Sequence, residues 1–201
     1  MYPTIDYFFV PASPFAYFGH QAFRQLVQRL DLTVRVRPVD AKTVFLPAGF
    51  IPLGQRSDAR KAYRMMELQR IKAERALPAN LEPKHFPVDD GLARDAIIAV
   101  DRAGGDVFEF TYRVMRAVWV EERNIADPAT LAEIATGLAM DADALATAMA
   151  GPDVAAQRDA HNQAGLAAGV FGAPTWALPS GELFWGQDRL VALERALTTS
   201  R

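Results

Sequence analysis

The residue with the clearest chemical potential is Ser13, which precedes Pro14 at the end of an apolar run. That run, residues 5–10, predicts a strand, and the amphipathic pattern of residues 15–30 predicts a helix after it. Ser is a favoured helix N-cap and Pro a favoured first helical residue, so the hydroxyl should lie near unpaired backbone N–H groups. These groups and the helix dipole favour an anion there, such as a thiolate. Ser13 is therefore either a cap alone or a cap with a catalytic role.

Composition limits the classes of protein and partner. The chain has 201 residues, half of them hydrophobic, enough for one large domain or for one domain with an insertion. A net charge of -2 gives no electrostatic reason to expect nucleic acid or an anionic membrane as partner. Neither a signal-peptide pattern nor an apolar run of about 20 residues is present, which predicts a cytoplasmic protein outside the membrane.

Cysteine and histidine usage excludes several chemistries. The chain has no cysteine, which excludes disulfides, thiolate metal ligands and redox reactions of its own thiols. His20, His85 and His161 have no carboxylate or histidine partners at metal-ligand spacing, so we expect no metal site.

The elements around Ser13 indicate the fold class. Residues 32–39 alternate apolar and polar side chains, which predicts a second strand and a β-α-β opening. Residues 42–55 contain two prolines and two glycines and are expected to form a loop of a length often used for binding. Residues 77–88 contain three prolines and predict a further loop, which carries His85 and Phe86.

The middle of the chain is predicted to be helical, and its tail mixes strand and helix. The predicted helices are residues 59–76, 90–103, 107–123, 128–138, 141–150 and 153–168. Residues 169–178 predict a turn into a strand and residues 182–185 a second strand, which gives a hairpin, followed by a terminal helix that includes Leu190. The pattern predicts the α/β class and a thioredoxin-like fold, β-α-β then β-β-α, from residues 1–40 and 152–201. Residues 41–151 would form an all-helical insertion.

Three motifs together carry a resemblance to a known family. They are Ser-Pro-Phe-Ala-Tyr at residues 13–17, Gly-Val-Phe-Gly-Ala-Pro-Thr at 169–175 and Phe-Trp-Gly-Gln-Asp-Arg-Leu at 184–190. In order and spacing the whole chain resembles the 2-hydroxychromene-2-carboxylate isomerase family of the DsbA-like thioredoxin superfamily, which is related to kappa-class glutathione transferases. Redox members begin the first helix with Cys-X-X-Cys, and Ser13 takes the place of the attacking cysteine.

The resemblance implies a cofactor, glutathione, and a site for it. Its sulfur would lie beside Ser13 and its backbone along Ala173, which precedes a cis Pro174. The γ-glutamyl end would lie at Gln187 and Asp188, although Asp188 could also be a plain N-cap. The family also implies a homodimer.

The chain departs from the family in the loop before the insertion. Relatives usually offer an Asn and a Lys to glutathione there, and neither is present in the comparable positions. Lys42, Arg56 and Arg60 are candidates to meet a carboxylate, Lys42 that of the substrate, or else solvated surface charges. Family analogy further points to Phe50, His85 and Phe86 as contacts for an aromatic substrate, with a plain surface position as the alternative for His85. 

Three functional hypotheses follow from the resemblance. The first is a glutathione-dependent isomerase of a 2-hydroxychromene-2-carboxylate-type substrate in aromatic catabolism, acting by reversible thiolate addition. The second is a kappa-like transferase that conjugates glutathione to electrophiles. The third is a non-catalytic module that binds a ligand or protein partner. Glutathione and a small aromatic carboxylate are the expected partners of the first.

Overall fold

The structure is a computed structural model that describes residues 2–199, and within this range the chain forms four strands and nine α-helices. The strands are β1 (Ile5–Phe9), β2 (Val34–Pro38), β3 (Thr175–Ala177) and β4 (Leu183–Trp185). The helices are α1 (Pro14–Leu30), α2 (Ala41–Phe45), α3 (Asp58–Arg75), α4 (Gly91–Arg102), α5 (Val107–Trp119), α6 (Pro128–Gly137), α7 (Ala142–Met149), α8 (Pro152–Ala167) and α9 (Leu190–Thr199). Over these same residues, no helix combines the length and apolarity needed to cross a membrane.

The strands form one sheet in the order β2-β1-β3-β4, and this confirms the predicted thioredoxin-like α/β fold. β1 pairs parallel to β2, whereas β3 pairs antiparallel to both β1 and β4. Both faces of central β1 are buried: Tyr7 and Phe9 belong to a large core shared with the helices, and Phe8 belongs to a smaller core on the other face. The chain leaves β1 at Phe9 and reaches Ser13 at the carboxyl edge of the sheet.

The prediction of a loop over residues 42–55 was partly wrong, because this segment begins within the short helix α2. The Asp40 carboxylate accepts hydrogen bonds from the Lys42 N–H (2.9 Å) and the Thr43 hydroxyl (3.0 Å), which caps the helix. Val44 and Phe45 bury the other side against the smaller core. Five residues are too few to show a helical period in sequence, and only the Asp cap signalled it. A 3₁₀ turn, Leu53–Gln55, follows.

The six predicted central helices are all present, and their ends lie within one residue of prediction except the C-terminal end of α5. That helix ends at Trp119 rather than at 123, where the chain turns back and the Arg123 N–H donates to the Ala117 carbonyl (2.7 Å). Trp119 is fully buried in the larger core together with Tyr7 and Phe23. The central helices and the sheet region therefore share one hydrophobic core.

Candidate active site

Ser13 caps α1, as the sequence predicts. Its hydroxyl oxygen accepts a hydrogen bond from the Ala16 N–H (3.3 Å), and Pro14 is the first residue of the helix. The Ser13 N–H donates to the Val10 carbonyl (2.9 Å), which closes the turn that leaves β1. A hydroxyl that accepts one hydrogen bond keeps its own proton available to donate. Ser13 can therefore cap the helix and donate to a ligand anion at the same time.

The half-buried Ser13 side chain lines a cavity of about 250 Å³, called here the Ser13 pocket. Its walls are largely apolar and aromatic, and they come from α1, from the segments after α2 and α3, and from the hairpin region. Its principal residues are Ser13, Phe15, Phe50, Phe86, Ala173 and Trp185. A second cavity of about 570 Å³, the outer cleft, shares Phe15, Phe50 and Trp185 with it and adds Tyr63 and Phe171. Because they share these residues, the two cavities are contiguous.

Two guanidinium groups, those of Arg56 and Arg64, line both cavities. Each stacks near an aromatic ring of the wall, Arg56 5.3 Å from the Phe50 centroid and Arg64 5.5 Å from the Phe86 centroid. The Arg56 Nε also donates to the Ile51 carbonyl (2.8 Å). Within residues 2–199 neither arginine forms an ion pair with a carboxylate.

Burial and the charge of a neighbouring arginine act on both Arg56 and Arg64. Desolvation, followed by the nearby Arg56 charge, lowers the pKa of Arg64 from its ordinary value, and desolvation with the Arg60 charge does the same for Arg56. An arginine remains protonated in a protein even so. A partly desolvated cation with no carboxylate partner is a site where an anionic ligand restores a favourable interaction.

Trp185 forms a wall common to both cavities. Its ring packs edge-on against Phe171, with centroids 4.7 Å apart, and half of the residue is exposed. The indole lies so close to Gly172 that a Cβ at that position would be 2.4 Å from Trp185 Nε1. Gly172 is thus required for this placement of the indole.

The Ala173–Pro174 peptide bond is cis, as expected from the resemblance, and Phe86–Pro87 is a second cis bond that the sequence did not indicate. Ala173 lines the Ser13 pocket, just before the paired residues of β3. Pro174 is buried behind it, and its carbonyl accepts a hydrogen bond from the Gly186 N–H (2.9 Å).

Gln187 and Asp188 line neither cavity. Gln187 is buried against α1, and Arg75 donates to its side-chain oxygen (2.8 and 3.1 Å) and to its backbone carbonyl (3.1 Å). Asp188 lies in a 3₁₀ turn before α9, where it caps no helix, and its exposed carboxylate is 3.1 Å from Arg189 Nη2. The structure therefore separates this pair from the pocket wall.

Of the four predicted substrate residues, Phe50 and Phe86 line the Ser13 pocket. Lys42 lies instead at a different cavity behind α2, which Asp90 and Arg94 also line. The half-buried His85 lines neither the Ser13 pocket nor the outer cleft.

The sequence reasoning missed Arg64 and gave Trp185 no role. The signal for Arg64 was present, because Arg56, Arg60 and Arg64 recur at intervals of four residues as α3 begins. That spacing predicts a cationic stripe on one helix face, yet it does not reveal that this face covers the pocket.

The histidines supply no base to the Ser13 pocket. His20 is fully buried, its Nε2 donates to the Phe108 carbonyl (2.9 Å), and its Nδ1 consequently accepts from the Tyr7 hydroxyl (3.2 Å). Desolvation lowers the pKa of His20 to about 4, so the ring is neutral at pH 7. Within the described range, no group of three His, Asp or Glu side chains is arranged to hold a metal ion.

Comparison with known proteins identifies the family. The model of the DsbA-like thioredoxin domain matches residues 4–198. The 2-hydroxychromene-2-carboxylate isomerase of Sphingobium xenophagum is 30% identical over 98% of this chain and 99% of its own length. The chain belongs to the DsbA-like thioredoxin family. Its similarity to the 2-hydroxychromene-2-carboxylate isomerase over nearly the whole of both chains shows that it is an isomerase of that family.

Solved structures agree with this assignment. A 2-hydroxychromene-2-carboxylate isomerase superposes with a TM-score of 0.82 at 26% identity, covering 98% of this chain and 95% of that one. The cytosolic disulfide reductase DsbM from Pseudomonas aeruginosa, solved with GSH, has a TM-score of 0.70 at 20% identity, with 98% of each chain covered, and shares the fold.

Proposed function

We propose that this isomerase acts on a 2-hydroxychromene-2-carboxylate-type substrate in the breakdown of aromatic compounds, with glutathione as cofactor. The supporting observation is the Ser13 pocket, which combines a serine hydroxyl at a helix N-terminus, aromatic walls and two arginines without carboxylate partners. These features suit a thiolate, an aromatic ring and a carboxylate respectively.

The residues present fit glutathione. The tripeptide carries two carboxylates and an ammonium group, and Arg56 and Arg60 of the outer cleft supply cations for the carboxylates. They would replace the Asn and Lys that relatives offer. Ala173 lies at the pocket beyond the end of the β3 ladder, where an extended peptide backbone can pair. Gln187 and Asp188 lie outside the lining of both cavities, so the γ-glutamyl end would extend beyond the cleft for its ammonium group to donate to the exposed Asp188 carboxylate.

Bound glutathione would supply a thiolate for reversible addition to a conjugated carbon, which permits ring opening and bond rotation without net consumption of the thiol. Ser13 would donate its hydroxyl proton as a hydrogen bond to the sulfur anion. The N–H groups at the start of α1 would add electrostatic stabilisation. Both effects favour the anion over the thiol and so increase the reactive fraction at neutral pH.

Arg64 would orient the substrate through its carboxylate. Like Arg56 it is partly desolvated and lies against an aromatic ring of the pocket wall, here Phe86, but unlike Arg56 its guanidinium donates to no protein oxygen within residues 2–199. Phe15 and Phe50 would pack against the aromatic ring of the substrate. A cavity of about 250 Å³ that opens into the outer cleft leaves space for the thiol and the substrate side by side.

One assay separates this proposal from its rivals. The protein is incubated with glutathione and a hydroxychromene carboxylate, and both isomer and free thiol are followed with time. Isomer formed at constant thiol supports the proposal. Loss of thiol with formation of a conjugate supports a kappa-like transferase, and absence of both reactions supports a non-catalytic binding module. The homodimer remains a prediction, which sedimentation equilibrium tests.

A further inference from the structure

A buried charge cluster lies behind the Ser13 pocket, where α4 meets the turn that leaves β1. Arg94 is 8% exposed, and its guanidinium faces two carboxylates. Its Nε is 3.3 Å from Asp90 Oδ1 and its Nη1 is 3.5 Å from Asp40 Oδ1. Neither nitrogen makes an aligned hydrogen bond within residues 2–199, so charge attraction holds the group. Little water screens that attraction, since the Asp90 side chain is only 13% exposed.

Each of the two carboxylates holds one wall of the pocket. Asp90 faces the backbone N–H of Ala12, the residue that precedes Ser13. Asp40 accepts two hydrogen bonds from the first turn of α2, the helix whose Phe45 lines the pocket. The guanidinium between them therefore connects the turn that carries the serine to the part of the wall that α2 contributes.

We infer that Arg94 is a positioning residue, which holds the turn of residues 10–13 against α2 through Asp90 and Asp40 and thereby fixes the Ser13 hydroxyl toward the pocket. Its effect on chemistry rests on the function proposed above, whereas its effect on the turn does not. Arg94 lies outside the lining of the pocket, so it acts through Ser13 and not on the substrate.

Hydrogen–deuterium exchange of the ligand-free protein tests the structural part. Arg94→Lys keeps one positive charge but loses the planar guanidinium that faces two carboxylates. We expect the protection of residues 12–16 to fall about tenfold, while α9 exchanges as in the wild type. The matched control is Arg158→Lys. Arg158 Nη1 donates to both carboxylate oxygens of Asp95 (2.8 and 3.0 Å), a residue of α4 like Arg94, but this ion pair lies away from the turn. Equal protection of the turn in both variants overturns the inference.

A second arm does not depend on whether Arg94→Lys folds. Asp90→Asn keeps the size of the side chain but removes the carboxylate charge that Arg94 faces. Protection of residues 12–16 at pH 7.5 should therefore fall in this variant as well, because the buried guanidinium loses one of its two partners. Wild-type protection of the turn in Asp90→Asn contradicts the inference. The charged groups around Asp90 are Arg94, Asp40, Asp89 and Lys42. Helix α8 contributes only the neutral side chain of Asn162 to this region, and residues 10–13 of the turn carry no charged side chain.

The chemical part is measured on the complex with glutathione. Arg94→Lys should raise the pKa of the bound thiol, read by thiolate absorbance, and lower kcat more than it raises KM. Arg158→Lys should leave all three unchanged. A looser turn with an unaltered thiol pKa excludes the positioning role. If the wild type binds no glutathione, the proposed function fails, while the exchange results still decide whether Arg94 holds the turn.

Discussion

A single residue at this site can stabilise the fold and also take part in the chemistry. The Ser13 oxygen already accepts a hydrogen bond from α1, yet its proton is free, so capping and catalysis are compatible roles. Sequence identified this residue because Ser-Pro at a strand–helix junction is a local pattern. It could not identify Arg64 in the same way, because the function of that side chain depends on which pocket α3 covers.

Replacement of Arg64 tests the proposed carboxylate contact. Arg64→Met keeps the apolar stem but removes the charge, so we expect KM for an aromatic carboxylate to rise about 10- to 100-fold, as loss of a charge-assisted hydrogen bond of 1.5 to 3 kcal/mol implies. The control is Lys61→Met, in the same helix but outside both cavities. Steady-state kinetics with a substrate analogue that lacks the carboxylate should show no difference between Arg64→Met and the wild type. Equal losses with both substrates would contradict this assignment.

At the scale of elements, the pocket forms where separate segments meet. The junction from β1 to α1 and the hairpin were predictable, since breakers and apolar alternation mark them in sequence. α2 was missed because a five-residue helix has no visible period. Lys42 was a candidate to meet a carboxylate and His85 a substrate contact by family analogy, but neither lines the Ser13 pocket, and Lys42 lies at the separate cavity behind α2.

The position of the hairpin can be tested through Gly172. A methyl group there would meet Trp185 at 2.4 Å, so Gly172→Ala must displace the indole from the wall. We expect ligand affinity to fall up to about tenfold, the effect of losing an aromatic contact of 0.5 to 1.5 kcal/mol. Tryptophan fluorescence measures this directly, because Trp119 and Trp176 are buried and a ligand-dependent change reports Trp185.

Gly137→Ala is the matched control for this substitution. A Cβ at Gly137 meets no atom within 4 Å, and its helix lies apart from both cavities. Unchanged affinity in Gly172→Ala would show that the Trp185 wall does not contact the ligand.

At the scale of the whole molecule, one core joins the two predicted parts of the chain. Phe110 of α5 and Trp176 of β3 belong to the same buried cluster, although the sequence assigns them to the insertion and to the thioredoxin-like part. Sequence periodicity predicts which helix face is buried, but not which distant element it packs against. We propose that the segments divided at residues 40 and 152 form a single cooperative unit.

Unfolding experiments test that cooperativity. Phe110→Ala should cost about 3 to 5 kcal/mol of unfolding free energy, the usual effect of truncating a buried aromatic side chain. Tryptophan fluorescence and far-ultraviolet circular dichroism should still report coincident denaturant transitions. The control Val191→Ala removes a largely exposed side chain and should change stability by less than about 0.5 kcal/mol. Separate transitions of the two probes would show that the insertion unfolds independently.

Ser13 is proposed to stabilise a thiolate in this pocket. An unperturbed thiol with a pKa of about 8.5 is roughly 3% ionised at pH 7, whereas a pKa of about 6.5 gives roughly three-quarters thiolate. One pKa unit corresponds to about 1.4 kcal/mol, comparable with a charge-assisted hydrogen bond of about 1.5 to 3 kcal/mol.

The decisive measurement is the thiolate absorbance of bound glutathione against pH, in the wild type and in Ser13→Ala. We expect Ser13→Ala to raise the pKa of the bound thiol by about one to two units and to slow isomerisation at neutral pH, with partial recovery at alkaline pH. If Ser13 only caps α1, the substitution costs about 1 kcal/mol of stability instead. Identical titration curves for the two proteins would contradict the catalytic role of Ser13.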